Sequence, residues 1–230
     1  MAGLRALLIT GVSMLALASG CAKGTGPSRG DFEVVRTANE PDSGKLALLR
    51  ASARFGHTRP PAQVEFTYAR STDSSLARLR TRYDLDSVAG LGDDFARISR
   101  LSHWVHIRVR HDGNNGNPMP MNSLHLLEVA EHEGKTCNCR GLGTILNEAC
   151  LSLGYRSRLL TCLPADSSDS DCHVVDMVWL PRESRWVLVD PTFDTRWTDR
   201  HGRVLGPAEV RAAMVRGDPL GVAGSPNENS

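Results

Sequence analysis

Two cysteines separated by a single residue open the segment with the most chemically active side chains. Cys137 and Cys139 precede the run "RGLGTILNEACLSLG", whose apolar residues recur at helical spacing. Cys139 is in phase with this apolar stripe, whereas Cys137 lies before Asn138, the predicted helix cap. In the first turn of a helix, unpaired N–H groups and the helix dipole stabilise a thiolate. Cys139 is therefore the better candidate for a nucleophile.

A nucleophilic thiol needs a base, and two later residues supply a candidate pair. His173 opens the predicted strand "HVVDMVWL", and Asp190 ends "WVLVD". If Trp179 pairs with Trp186 in a hairpin, His173 lies diagonal to Asp190, with Cβ atoms about 7 Å apart. A carboxylate at that distance can orient an imidazole. The opposite parity would place His173 and Asp190 on different faces, and alternation alone leaves both registers open.

The elements that must position these residues follow from the change of period along the chain. Helical spacing and capping residues predict helices over 93–109, 122–134 and 139–154. Alternation predicts strands over 155–162, 173–180 and 186–192, and "QVEFTYA" predicts a short earlier strand. A helix followed by three sequential strands indicates an α+β fold with an antiparallel sheet. The face of His173, Val175 and Met177 is expected to be the core face.

The ordered motifs resemble the core of the transglutaminase-like superfamily, a group related to papain. "CRGLGTILNEACLSLGYRSR" precedes "HVVDMVWLPRESRWVLVDPT", and the match runs from about Asp93 to Asp194. The resemblance implies a Cys-bearing helix packed on a central antiparallel β-sheet. It implies a triad of Cys139 as nucleophile, His173 as base and then acid, and Asp190 holding the imidazole. It further implies an enzyme that acts on amide bonds through an acyl-thioester, as a cysteine peptidase, a deamidase or an acyltransferase.

The same resemblance offers a candidate for the oxyanion site. Animal members of the family use an upstream tryptophan side chain, and Trp104 lies 35 residues before Cys139. The alternative is that Trp104 is a core residue of its own helix. Gly143 stands where a small residue such as Ala is common in the family. Gly141 and Gly143 are each expected to weaken the start of the helix by about 1 kcal/mol.

The N-terminal segment is typical of an export signal. In residues 1–20, Arg5 precedes an apolar run over 6–18 that is too short to span a bilayer. Ser19-Gly20-Cys21 resembles a bacterial lipobox, in which the signal is removed before the Cys and the thiol carries lipid. The alternative is an ordinary cleaved signal with an incidental Cys21. We expect a lipid-anchored protein of the bacterial cell envelope, on the outer membrane and facing the periplasm, because Ala22 is not the Asp that favours inner-membrane retention.

Composition divides the remaining chain and limits its partners. We expect the lipid-anchor Cys and a Gly/Pro-rich linker over 21–31, the N-terminal part of the domain over 32–92 and a disordered tail over 216–230. The resemblance implies a transglutaminase-like catalytic core over 93–215. Lys and Arg number 27 and Asp and Glu 26, so no basic excess is present to bind nucleic acid. The expected partners are a peptide or protein substrate, with a peptidoglycan peptide as one candidate, and a membrane reached through the lipid.

The remaining thiols are expected to reflect an oxidising compartment. Cys137 and Cys150 would be separated by about 16 Å of helical rise, too far for a disulfide. Cys162 and Cys172 flank the polar loop of one predicted hairpin and are the expected bridge.

Two rival interpretations of the cysteine region are weaker. A zinc site of Cys137, Cys139, His132 and His173 lacks the paired C-x-x-C spacing of structural zinc, so we expect no metal and no cofactor. A non-catalytic binding module of the cell envelope with the same fold is the alternative to an enzyme.

Lipidation of Cys21 is directly testable. Cells grown with labelled palmitate should yield labelled wild-type protein and unlabelled Cys21→Ser protein, because the substitution removes the thiol that carries the lipid. Wild-type protein without label would contradict the lipobox interpretation.

Overall fold

A five-stranded sheet and the helix that begins at Cys139 form the centre of the fold. The structure is a computed structural model that describes residues 43–52, 67–164, 168 and 171–224. All of these lie within one compact unit, residues 32–230. The predicted signal peptide, Cys21 and the predicted linker lie outside the described residues.

The described part of the chain contains seven helices and five strands. In chain order they are α1 Ser43–Ala51, α2 Ser74–Arg82, α3 Leu85–Ala89, α4 Asp94–Arg108, α5 Ser123–Glu133, α6 Cys139–Ser152, β1 Ser157–Cys162, β2 His173–Leu180, β3 Arg185–Asp190, β4 Thr195–Thr198, α7 Pro207–Arg216 and β5 Gly221–Ala223. The strands pair antiparallel in the order β1-β2-β3-β4-β5. The α+β class with a central antiparallel sheet is therefore confirmed.

The hairpin of β2 and β3 adopts the register that brings the candidate base towards its carboxylate. Trp179 pairs with Trp186, and Asp176 pairs with Val189. The two tryptophan rings pack edge to face, with centroids 5.5 Å apart. This register places His173 and Asp190 on the same face of the sheet.

The main core lies on the opposite face from the one that the sequence suggested. The inner side of α6 packs with Val178 and Val189, whose side chains point away from the His173 face. The His173 face carries a smaller cluster in which α7 contributes Val210 against Val175 and Leu188. Alternation correctly grouped the residues of each face, but both faces of the sheet are covered by a helix, so hydrophobicity could not tell which one is larger.

The start of α6 approaches its neighbours too closely for larger side chains. A Cβ atom at Gly143 would lie 2.8 Å from Leu159 Cδ2, and one at Gly141 would lie 2.8 Å from Cys137 Cβ. The two glycines, which lower intrinsic helix stability, therefore allow close packing of the helix that bears the candidate nucleophile.

Helices α4 and α5 begin and end at the residues that the sequence signals indicated. Asp93 accepts a hydrogen bond from the Ala96 N–H (2.7 Å), and Asn122 accepts one from the His125 N–H (3.0 Å). Gly134 ends α5 in a left-handed conformation (φ 64°). Of the predicted strand "QVEFTYA", residues 63–66 lie outside the described residues and 67–69 form no strand.

The expected disordered tail is wrong for its first part. Residues 221–223 form β5, which pairs with β4 through Trp197 and Val222. Glycine at position 221 permits this pairing, because a Cβ atom there would overlap the Thr198 hydroxyl.

A carboxyl group is buried between α6 and the sheet. Asp176 is fully buried in β2, and neither of its oxygens has a hydrogen-bond partner among the described residues. A Cβ atom at Gly143 would lie 3.2 Å from Asp176 Oδ2. Burial and, to a smaller extent, the charge of Asp190 raise the pKa of Asp176 well above its ordinary value. The carboxyl group is therefore protonated where an exposed aspartate would be ionised.

This buried acid predicts a pH-dependent stability. A carboxyl whose folded-state pKa is raised contributes its full stability below its unfolded pKa, and that stability is lost as pH rises through the folded-state pKa. The side chain of Asp176→Asn cannot ionise, so the variant lacks this loss of stability. Relative to the wild type, its free energy of unfolding should rise by up to about 1.4 kcal/mol per pH unit between about pH 4 and the raised pKa.

Urea unfolding across this pH range measures the difference between Asp176→Asn and wild type. Asp84→Asn is the matched control, because Asp84 is exposed and makes no side-chain cap hydrogen bond. A pH-independent difference for Asp176→Asn would contradict the protonated state of Asp176.

Candidate active site

Cys139 is the first residue of α6 and is half-buried. The cap residue Asn138 accepts hydrogen bonds from the N–H groups of Arg140 (3.0 Å) and Gly141 (3.4 Å). His173 and the N–H groups of Val174 and Arg140 lower the pKa of the Cys139 thiol through hydrogen bonding. A thiolate at this position is therefore stabilised by backbone dipoles as well as by the imidazole.

His173 stands between the thiol and Asp190. Its Nε2 lies 2.7 Å from Asp190 Oδ2, and its other ring nitrogen is left to face Cys139. Asp190 is 2% exposed, and its second oxygen accepts a hydrogen bond from the Thr192 N–H (2.8 Å). The structure thus brings all three residues of the predicted triad together.

Thiol and imidazole perturb each other's pKa in opposite directions. Burial raises the pKa of Cys139, but the His173 hydrogen bond, the Val174 N–H and the imidazolium charge outweigh it, so the pKa is lowered. Burial lowers the pKa of His173, yet hydrogen bonds to Asp190 and Cys139 outweigh this effect and raise the pKa to about 10. The two shifts together favour a thiolate–imidazolium pair.

The neighbouring Cys137 has the opposite electrostatic surroundings. It is fully buried, and burial raises its pKa to about 11. Its backbone N–H donates to the Arg110 carbonyl (3.0 Å), which fixes the segment just before the helix. Cys137 is a buried structural residue, and Cys139 is the thiol whose environment favours ionisation.

An asparagine pair holds the start of α6, and sequence reasoning identified only half of it. Asn117 Nδ2 donates to Asn138 Oδ1 (2.6 Å), and the Asn138 N–H donates to Asn117 Oδ1 (2.9 Å). A Cβ atom at Gly141 would overlap Asn117 Oδ1. Asn117 lies in the loop "HDGNNGNPMP", where Gly, Asn and Pro are expected for any turn, so nothing in its sequence context distinguished it.

Two further side chains frame the site and carry no sequence signal of their own. The Phe193 ring packs 5.5 Å from the His173 ring and 6.4 Å from the His111 ring, measured between centroids. His111 is 8% exposed, and burial and the charge of His173 lower its pKa. An imidazole with a lowered pKa therefore lies beside the Phe193 ring that also packs against His173.

The comparisons with known proteins identify the superfamily over this part of the chain. Residues 82–191 match the model of the transglutaminase-like superfamily. These residues form a transglutaminase-like core. The match begins in α2 and includes α3, so it starts earlier than the resemblance at Asp93 indicated. The fold is that of a superfamily of cysteine enzymes.

One solved structure and the curated sequences complete the comparisons. A provisionally assigned cysteine protease from Cytophaga hutchinsonii aligns with 84% of this chain at 13% identity and a TM-score of 0.42. The chain covers 55% of that protein, about half of its length. The search of curated proteins found no match.

Trp104, the candidate for the oxyanion site, packs beside Tyr83 and Arg108, and its role in an oxyanion site stays a prediction. The Trp104 ring packs against the Tyr83 ring at 5.6 Å, and the Arg108 guanidinium lies over it. The α4 residues that reach the end of β3 are instead His103 and His106, which contact Asp194 and the Pro191 carbonyl. Successive helical residues are turned by about 100°, so Trp104 points to a different side of α4. Trp104 is partly buried against the main core, which agrees with the alternative that it is a core residue of its helix.

The expected disulfide is not formed in the structure. Cys162 and Cys172 are both exposed free thiols. Cys162 pairs in register with His173, so Cys172 lies one residue before the paired position. The hairpin was predicted correctly. Its register, however, pairs Cys162 with His173 and not with Cys172, and the sequence of the polar loop does not reveal this difference of one residue.

The described residues contain neither a metal-binding group nor a membrane-spanning helix. No group of three or more His, Cys, Asp and Glu side chains among them could hold a metal ion. No helix in the same residues is long and apolar enough to cross a membrane.

The pKa shifts predict which cysteine reacts first. Iodoacetamide should alkylate Cys139 at neutral pH, well below the ordinary thiol pKa of about 8.5, while Cys137 stays unmodified. His173→Ala should slow the labelling of Cys139 by about tenfold or more at pH 7, because the imidazolium no longer stabilises the thiolate. Peptide mapping by mass spectrometry reads both sites in one sample.

His103→Ala is the matched control, because His103 also contacts an aspartate but is more than half exposed. Its labelling rate at Cys139 should equal that of the wild type. Faster alkylation of Cys137 than of Cys139 would contradict the assignment of the thiolate.

Proposed function

We propose that the protein is a cell-envelope cysteine enzyme that cleaves or transfers amide bonds through a thioester on Cys139. The observation that carries this proposal is the 2.7 Å contact of His173 Nε2 with Asp190 Oδ2, next to a Cys139 thiol whose pKa His173 lowers. This arrangement supplies a nucleophile, a proton carrier and a group that orients the carrier.

Acylation requires the thiolate–imidazolium pair that the site favours. The Cys139 thiolate attacks the amide carbonyl carbon, and the carbonyl π electrons move to its oxygen. The Cys139 backbone N–H at the start of α6 is the donor that we propose for that oxyanion. The C–N bond then breaks as protonated His173 gives its proton to the leaving amine. A thioester on Cys139 and neutral His173 remain.

Deacylation uses the same residues in reverse. Neutral His173 removes a proton from water as the water oxygen attacks the thioester carbonyl carbon. The C–S bond then breaks, which releases the carboxylic acid and regenerates the thiolate–imidazolium pair. An amine in place of water gives transfer to a new amide. Hydrolysis of a peptide bond, hydrolysis of a glutamine side chain and acyl transfer therefore differ in the groups that occupy the site, and cysteine peptidase is the activity we propose first.

The proposed setting is the envelope of a bacterium. Lipid on Cys21 would anchor the protein at the outer membrane, and residues 21–31 would act as a tether that lets the domain face the periplasm. Removal of residues 1–20 takes away Arg5 and leaves as many basic as acidic residues. Such a chain has no net charge with which to attract a highly charged partner, which fits a peptide or protein substrate, peptidoglycan peptides among them.

Substitution of the triad should separate catalysis from binding. Cys139→Ser should lower turnover to less than about one thousandth of wild type, because this pair does not ionise a hydroxyl. Asp190→Asn should lower turnover more than it slows Cys139 alkylation, since the carboxylate orients and charges the imidazole. Peptides, glutaminyl peptides and peptidoglycan stem peptides should be assayed with and without a primary amine, by release of new amines, release of ammonia and amine incorporation.

Cys137→Ala is the matched control for Cys139→Ser and should keep most of the turnover. Normal turnover by Cys139→Ser together with an inactive Cys137→Ala would overturn the triad. A Cys139→Ser protein that still performs the cellular role of the wild type would favour the non-catalytic binding module instead.

A further inference from the structure

An apolar cavity adjoins the candidate base on the face of the sheet that α7 covers. It measures about 630 Å³ and is lined by His173, Phe193 and Asp190 at one end. Its floor is formed by Val175 and Leu188 of the sheet. Its other walls include Leu160, Trp197, Val210 and Met214.

The polar groups around this cavity have partners within the protein. Arg211 donates to the Leu49 and Ser52 carbonyls (3.0 and 3.2 Å). The Thr161 hydroxyl accepts a hydrogen bond from Arg140 (3.2 Å). His173 and Asp190 bind each other, so neither offers a free charge to a ligand in the cavity. An occupant is therefore held by contact with apolar side chains, and a charged group would lose its hydration without compensation.

The position of the imidazole decides which part of a substrate reaches the cavity. None of the described lining residues belongs to α6, whereas His173 and Asp190 of the candidate triad both line the cavity. The atom of a substrate that must meet His173 is the leaving nitrogen, because it receives the proton. A substituent on that nitrogen is therefore the part of the substrate nearest to the cavity that His173 and Phe193 line.

We infer that this cavity binds an apolar side chain on the amine side of the scissile amide. The inference rests on the proposed function and extends it by naming a substrate class, peptides with a large aliphatic or aromatic residue directly after the cleaved bond. By microscopic reversibility the same cavity selects apolar amines as acyl acceptors.

The acceptor reaction tests the cavity without knowledge of the natural acyl group. p-Nitrophenyl acetate acetylates Cys139 and releases p-nitrophenol. An added amine then attacks the thioester carbonyl, the C–S bond breaks, the proton passes through His173, and the products are an N-acetyl amide and the free thiol. Phenylalaninamide should capture the acetyl group at least about tenfold faster than glycinamide at equal concentrations of unprotonated amine.

A substitution at the mouth of the cavity should lower this preference. Met214 is 43% exposed on α7, so Met214→Glu places a carboxylate at the rim without disturbing the core. The rate ratio of phenylalaninamide to glycinamide should fall severalfold, because the carboxylate must lose water when an apolar group enters. Leu91→Glu is the matched control, at a residue 94% exposed and outside the cavity, and should keep the wild-type ratio.

A second readout does not depend on turnover. Cys162 is an exposed thiol that lines the cavity, so its alkylation rate in Cys139→Ser protein reports occupancy. Phenylalaninamide should slow the alkylation of Cys162, and glycinamide at the same concentration should not. Mass-spectrometric peptide mapping separates Cys162 from the other thiols.

The outcomes distinguish failure of the cavity from failure of the proposed function. If Cys139 is acetylated but both amines capture the acetyl group equally fast, the proposed role of the cavity is wrong and the proposed enzyme activity is supported. Absence of acetylation at Cys139 would contradict the proposed function, and Cys162 protection would then decide the cavity alone. Equal alkylation of Cys162 with both amines would overturn it.

Discussion

The antiparallel pairing of β2 with β3 determines whether a triad exists at all. Trp179 opposite Trp186 sets His173 and Asp190 on one face and within hydrogen-bonding distance. A shift of one residue would turn one of the two side chains to the other face, and the carboxylate could no longer charge the imidazole. The lowered pKa of Cys139 depends in turn on that imidazole. The electrostatics of the site therefore begin with the backbone register of one hairpin.

The position of the thiol requires a second, independent constraint, the close packing of α6 on the sheet. Gly143 lets the helix approach Leu159 and the buried Asp176. At its start, Gly141 leaves room for Asn117 beside Asn138. The glycines that weaken the isolated helix are the residues that allow the folded protein to hold Cys139 beside His173. Local helix stability is lower here because the packed arrangement of the site requires small residues.

Sequence patterns recovered the features that depend on local periodicity. The bounds of β2, the range of α4, the N-caps of α5 and α6 and the phase of Cys139 all follow from residues close together in the sequence. Features that depend on distant contacts could not be obtained this way. Trp104 lies at a suggestive spacing but faces Tyr83, and Asn117 sits in a loop of ordinary turn residues. Strand β5 is only three residues long, too short to show a period.

The asparagine pair that holds the start of α6, Asn117 and Asn138, consists of two neutral amides. Neither group gains or loses a proton under conditions in which proteins remain folded. The hydrogen bonds of this asparagine pair therefore do not depend on the protonation states of Cys139 and His173. We expect the start of α6 to keep its geometry when a proton moves between those two residues. The proton transfer and the support of the helix start therefore depend on different side chains.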